Sequence, residues 1–183
     1  MAHRPIDYSL YLVTDRGLSR GRSTLEIVRA AVRGGVTCVQ LREKTGATRA
    51  FIEEALSVKA FLDSCGVPLI INDRVDVALA VGADGVHLGQ SDLPLAAARS
   101  IAGPSMVIGI SAESVRDAVE AQAAGADYLG VSPVFATPTK TDTSAPLGLA
   151  GLRAIREAVK TPMVAIGGLN RDNASAAIRS GED

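Results

Sequence analysis

The chain predicts a parallel α/β fold, an eight-stranded (β/α) barrel, and three observations carry that prediction. Short β-rich apolar runs alternate with Ala-rich helical segments from one end to the other. Helical segments close on glycine just before the next run, at Gly34-Gly35-Val36-Thr37, Gly82-Ala83-Asp84-Gly85 and Gly125-Ala126-Asp127-Tyr128. Polar residues recur where the runs end, at Asp15, Gln40/Arg42/Lys44, Asn72/Asp73, Asp92, Ser111 and Lys140. Strict alternation of strand and helix implies right-handed crossovers and a parallel sheet. Glycine after a helix tolerates the left-handed backbone that turns the chain back. A barrel places its chemistry on the face where its strands end. A doubly wound open sheet instead announces a Gly-rich loop after its first strand. Here the first run leads into Thr14-Asp15-Arg16-Gly17, so the barrel is favoured.

The predicted strands are Leu10–Thr14, Thr37–Leu41, Pro68–Ile71, Gly85–Leu88, Met106–Ile110, Tyr128–Val131 and Met163–Ile166. Between them, apolar spacings of three and four predict helices over Leu25–Val32, Ala50–Leu62, Val75–Val81, Ser114–Ala124 and Leu149–Val159. A further helix is expected from Pro94-Leu95-Ala96-Ala97. The rhythm ends on Gly181-Glu182-Asp183, where another strand would begin. The expectation is therefore a single barrel domain over 1–183 that lacks its eighth βα unit.

Composition fits that fold and narrows the function classes. Aromatic residues make up 3% and Trp is absent, so the core of a chain that is 47% hydrophobic must be Ala, Val, Leu and Ile. Such a core suits helices packed on a buried parallel sheet. With 19 Lys+Arg against 20 Asp+Glu and no basic run, a nucleic-acid face or an anionic membrane surface is not expected. No apolar stretch approaches the ~20 residues of a membrane span, and the first residues lack a signal-peptide core. Cys38 and Cys65 have no metal-type spacing and read as buried, reduced thiols of a cytoplasmic protein.

The densest polar cluster is Gln40-Leu41-Arg42-Glu43-Lys44. In a strand, side chains at alternate positions share a face, so Gln40, Arg42 and Lys44 project together while Leu41 and Glu43 point away. An amide and two cations at a barrel mouth suit a phosphate or diphosphate. A solvated strand end with local ion pairs explains them equally well. Asp73 and Asp92 follow the third and fourth strands. Two hard carboxylates beside a diphosphate are what Mg²⁺ requires, although either could instead cap the helix after it. Ser111 could hold the edge of a heterocycle or cap a helix. The loop Thr137-Pro138-Thr139-Lys140 could wrap a phosphate as a lid, or be an ordinary turn. Gly167-Gly168 precedes a predicted helix and admits either a phosphate or a tight turn. His87 reads as a packed strand residue, and no Ser/His/Asp set is legible.

Taken in order, these residues resemble the thiamine phosphate synthase family. The strings Tyr11-Leu12-Val13-Thr14-Asp15, Gln40–Lys44, Ile71-Asn72-Asp73, His87-Leu88-Gly89-Gln90-Ser91-Asp92-Leu93-Pro94, Gly109-Ile110-Ser111 and Thr137–Lys140 are similar to its motifs, from about Asp7 to the end. The resemblance implies a TIM barrel enzyme of thiamine biosynthesis. It would join a hydroxymethylpyrimidine diphosphate to a thiazole phosphate through a pyrimidine-methyl cation, with Mg²⁺ as cofactor. It further implies catalytic roles for Arg42, Lys44, Ser111 and Lys140. Substrate-binding positions would be Gln40, Leu41, Arg42, Glu43, Lys44, Asn72, Ser111, Thr137, Pro138, Thr139, Lys140 and Gly168, of which Thr137, Thr139 and Gly168 receive the thiazole phosphate. Asp73 and Asp92 would bind the metal.

The partners implied are small-molecule substrates, with no nucleic acid and no membrane. Self-association into a homo-oligomer stays open. Two rival readings are a thiazole tautomerase relative, which needs no diphosphate or Mg²⁺ site, and an incomplete barrel that binds phosphate without turnover. The intact Arg42/Lys44 and Asp73/Asp92 sets argue against the first. The expected missing unit motivates the second.

Overall fold

The computed structural model describes residues 5–137 and 145–181. Seven strands alternate with helices, and the strands lie in one sheet in the sequential order β1 to β7. A doubly wound sheet reverses its strand order at a switch point. Sequential order without reversal is that of the (β/α) barrel class, here with seven βα units among the described residues.

The chain divides into two compact units. The first runs to His87 and includes Ala98–Val107. It contains β1 (Tyr11–Val13), a short 3-10 helix (Arg16–Leu18), α1 (Thr24–Arg33), β2 (Cys38–Leu41), α2 (Thr48–Cys65), β3 (Leu69–Asn72), α3 (Val75–Val81) and most of β4 (Gly85–Leu88). Helix α4 (Leu95–Ala102) begins in the second unit and ends in the first. The strands pair in parallel, Val13 with Gln40, Leu41 with Ile71 and Asn72 with His87. Helix α1 starts at a reciprocal cap, with Ser23 Oγ accepting from Glu26 N–H and the Glu26 carboxylate accepting from Ser23 N–H at 2.8 Å. Helix α2 buries Phe51, Ala55, Val58 and Leu62, spaced four, three and four, and packs against α1 and α3. It stops at Gly66, whose φ of 69° is left-handed.

The second unit holds Leu88–Ala97 and the residues from Ile108 on. It contains β5 (Val107–Ala112) from its second residue, α5 (Val115–Ala123), β6 (Tyr128–Val131), α6 (Gly148–Ala158), β7 (Met163–Ala165) and α7 (Ala174–Ile178). Strands β5, β6 and β7 pair in parallel. Tyr128 is 1% exposed and its ring fills the place where a Cβ on Gly109 would stand, so glycine there is a packing requirement.

Three details differ from the sequence expectation. Strand β5 runs to Ala112, past the predicted Ile110, so Ser111 lies inside the strand. Strand β2 ends at Leu41, where its predicted run ends, so the single face expected for Gln40, Arg42 and Lys44 does not extend to Arg42 and Lys44. Cys38 is buried, and burial pushes its thiol pKa up, whereas Cys65 is exposed at the end of α2 rather than buried. Among the described residues no helix is long and apolar enough to cross a membrane.

Candidate active site

In the first unit, three neighbouring strand ends supply a charged cluster. After β1 comes Asp15, after β2 come Arg42 and Lys44, and after β3 comes Asp73. Because β2 stops at Leu41, strand alternation does not put Arg42 and Lys44 on one face. They reach opposite neighbours instead. Arg42 Nη1 donates to Asp15 Oδ2 at 3.0 Å, on the β1 side. Lys44 Nζ donates to Asp73 Oδ2, on the β3 side. Gln40 is 3% exposed and its Nε2 donates to the Tyr11 hydroxyl at 2.9 Å. Thr14 Oγ1 accepts from Arg42 N–H at 3.0 Å, which ties the start of the β2 loop to the end of β1.

Leu41 is 1% exposed and belongs to the core. The Glu43 carboxylate accepts from the N–H groups of Thr45 and Gly46 at 2.8 and 2.9 Å and pairs with Arg16 Nε at 2.9 Å. The bond from Thr45, helped by those from Gly46 and Arg16, holds this carboxyl below the usual carboxylate range. Glu43 therefore shapes the loop that presents Lys44.

Asp73 has a φ of 62°, unusual for a residue with a side chain, and its N–H donates to the His87 carbonyl at 2.8 Å. Arg74, not Asp73, holds the N-cap position of α3 and makes no side-chain cap bond. Left-handed residues with side chains cluster at functional sites. Asn72 is 6% exposed, and its Nδ2 is the buried side-chain polar atom without a partner among the described residues. An orphaned buried donor costs roughly 1–3 kcal/mol, which a bound acceptor would recover.

In the second unit, Asp92 closes the turn after β4. Its Oδ2 accepts from Gly89 N–H at 2.7 Å, and its own N–H donates to the Gly89 carbonyl at 3.2 Å. Gln90 Nε2 donates to the backbone carbonyl of Ser111. Helix α5 is capped by Ser114, which accepts from Asp117 N–H at 3.1 Å, so Ser111 does not hold that N-cap position. Gly167 and Gly168 have φ values of 95° and 67°. A Cβ on Gly168 would stand 2.6 Å from the Ala136 carbonyl oxygen, so these glycines admit the loop that follows β6. They do not lead directly into a helix, since α7 begins only at Ala174. Thr137 is the last described residue of its loop, and Pro138, Thr139 and Lys140 lie outside the described residues.

Two signals escaped the sequence reading. In the sequence Asp15 is no more than a polar strand end, and Tyr11 no more than part of an opening strand. Both reach the Gln40–Lys44 segment, and strand order alone could have suggested it.

The family model described as thiamine monophosphate synthase matches residues 10–183. The chain belongs to this family. It is 56% identical to a thiamine-phosphate synthase of Chloroflexus aurantiacus, over 97% of this chain and 82% of that one. It is 55% identical to a thiamine-phosphate synthase of Syntrophomonas wolfei, over 97% and 85%. A solved thiamine phosphate pyrophosphorylase from Pyrococcus furiosus superposes with a TM-score of 0.88 at 43% identity, covering 96% of this chain and 82% of that chain. This is a family of transferases acting on small molecules, and both clusters described above fall inside the matched span.

Proposed function

We propose that the chain condenses a hydroxymethylpyrimidine diphosphate with a thiazole phosphate to give thiamine phosphate and pyrophosphate, in the cytoplasm and with Mg²⁺ as cofactor. The observation that carries this reading is the orphaned Asn72 amide beside the Lys44–Asp73 pair, in a chain with close relatives named for this reaction. Asn72 offers an unused donor, and Arg42 and Lys44 offer charge, at the ends of two adjacent strands. That combination suits a diphosphate. Two free cysteines fit a reducing compartment.

The chemistry needs little beyond anion stabilisation, orientation and dryness. The C–O bond between the pyrimidine methylene and the diphosphate breaks, and both electrons leave with the oxygen. The thiazole nitrogen lone pair then forms the new C–N bond to the methylene cation. Arg42, Lys44, Asn72, Gln40 and Lys140 bind the diphosphate arm and hold its growing charge. Ser111 orients the pyrimidine, while Thr137, Thr139 and Gly168 receive the thiazole phosphate. Leu41 supports the floor of the segment, and Glu43 shapes its loop.

Asp73 and Asp92 would hold Mg²⁺. The donor chemistry fits, because both are hard carboxylates and Asp73 already faces a cation in the Lys44 ammonium. Among the described residues no set of three or more metal-binding side chains is gathered. Mg²⁺ commonly takes one or two carboxylates and completes its shell with water and substrate phosphate. When bound it would neutralise charge on the departing diphosphate.

The test is turnover of the two substrates by the purified protein, followed as thiamine phosphate and pyrophosphate at varied Mg²⁺. Product formation that needs Mg²⁺ supports the reading. Thiazole isomerisation without condensation would favour the tautomerase class.

A further inference from the structure

We propose that Asp15 is a positioning residue for the diphosphate and acts through Arg42, an inference that rests on the assignment of Arg42 to that group. The Asp15 carboxylate is held at both oxygens. Oδ1 accepts from Leu18 N–H at 3.2 Å, as the cap of the 3-10 helix. Oδ2 accepts from Arg42 Nη1 at 3.0 Å. The Asp15 backbone is extended, with φ −143° and ψ 120°, and lies two residues past the end of β1, after Thr14. Through Asp15 the guanidinium is thereby tied to the sheet rather than to its own loop.

Neighbouring residues leave this role to Asp15. Glu43, the acid next to Arg42 in the chain, is taken by Arg16 and by the Thr45 and Gly46 amides. A Cβ on Gly17 would stand 3.1 Å from Asp15 Oδ1, so glycine leaves room for the carboxylate. The Arg42 main chain is fixed to the same strand end by Thr14, which is 5% exposed. An arginine pinned at one nitrogen keeps the rest of its planar fork in a set orientation. That fork can meet a phosphate without first giving up its rotamer freedom.

The test is calorimetric titration of the full chain with inorganic pyrophosphate in Mg²⁺ buffer. The proteins are wild type, Asp15→Asn, Arg42→Ala and the double variant. Asn caps a helix about as well as Asp. It presents an N–H₂ in place of the second oxygen, so it keeps the turn and drops the hold on Arg42. Asp15→Asn should raise the pyrophosphate Kd about tenfold and raise KM for the pyrimidine diphosphate by a similar factor. KM for the thiazole phosphate and the melting temperature should not change. In the Arg42→Ala background Asp15→Asn should add nothing. If Asp15→Asn melts early, Asp15→Ser carries the same expectation, since Ser also caps but is too short to reach the guanidinium. Unchanged or tighter pyrophosphate binding in a folded variant overturns the proposal, as do additive effects in the double variant. Wild-type protein that ignores pyrophosphate would remove the assignment of Arg42, and this inference with it.

Discussion

Asp84 and Asp127 make the same pair of bonds at corresponding points of the two units. Asp84 Oδ2 accepts from Leu69 N–H at 2.9 Å, while its own N–H donates to the Leu69 carbonyl at 3.0 Å. Asp127 Oδ2 accepts from Ile108 N–H at 2.7 Å, and its N–H donates to the Ile108 carbonyl at 2.9 Å. Each Asp stands just before an even-numbered strand and fastens the preceding odd-numbered one. Thr37 does likewise for Leu10, with bonds of 2.9 and 3.0 Å. The Gly-x-Asp and Gly-x-Thr repeats are thus register clamps as well as helix stops.

Replacing either aspartate by Ala should therefore destabilise the protein, while Asn, which keeps one acceptor oxygen, should be nearly neutral. Asp84 borders solvent, so water can partly replace its side chain, and the loss should be about 1 kcal/mol. Asp127→Ala should cost somewhat more, about 1–2 kcal/mol, because Asp127 is less exposed. Urea unfolding midpoints of the four single variants check this. Equal midpoints for Ala and Asn would show that the clamps do not matter.

Arg42→Ala and Lys44→Ala should each weaken pyrophosphate binding by roughly 1.5–3 kcal/mol, the range of a charge-assisted bond. Both side chains are partly exposed, at 26% and 48%, so neither loss should unfold the chain. Titration beside circular dichroism tests the pair, and unaltered affinity in both variants would remove the anion site.

Asp73→Asn and Asp92→Asn should each raise the Mg²⁺ concentration needed for half-maximal turnover. A capping role predicts no change, because Asn caps about as well as Asp. For Asp73 that alternative is already weakened, since Arg74 occupies the N-cap of α3. A rate titration in Mg²⁺ decides, and wild-type curves for both variants would leave the carboxylates structural.

Gly168→Ala should lower the melting temperature and raise KM for the thiazole phosphate. Its φ of 67° and the 2.6 Å approach of the Ala136 carbonyl leave no room for a Cβ. Left-handed strain and the displaced loop together should cost about 1–3 kcal/mol. Melting and steady-state kinetics with each substrate separate the two effects, and a variant with normal stability would mean that the loop yields freely.

The sequence by itself determined the fold class, most strand positions and the residues at strand ends. Those features are local and repetitive. Apolar runs such as Gly85–Leu88 and Tyr128–Val131 match strands β4 and β6 residue for residue, and period and glycine punctuation follow from backbone sterics. Only the tertiary structure decided who meets whom. Arg42 turns to Asp15 and Lys44 to Asp73 because β2 ends at Leu41 and lies between β1 and β3. Once a strand stops, side-chain direction no longer alternates and is set by the partners that neighbouring strands supply. The unmet Asn72 amide was likewise invisible in the sequence. A donor is known to lack a partner only when everything packed around it is in place.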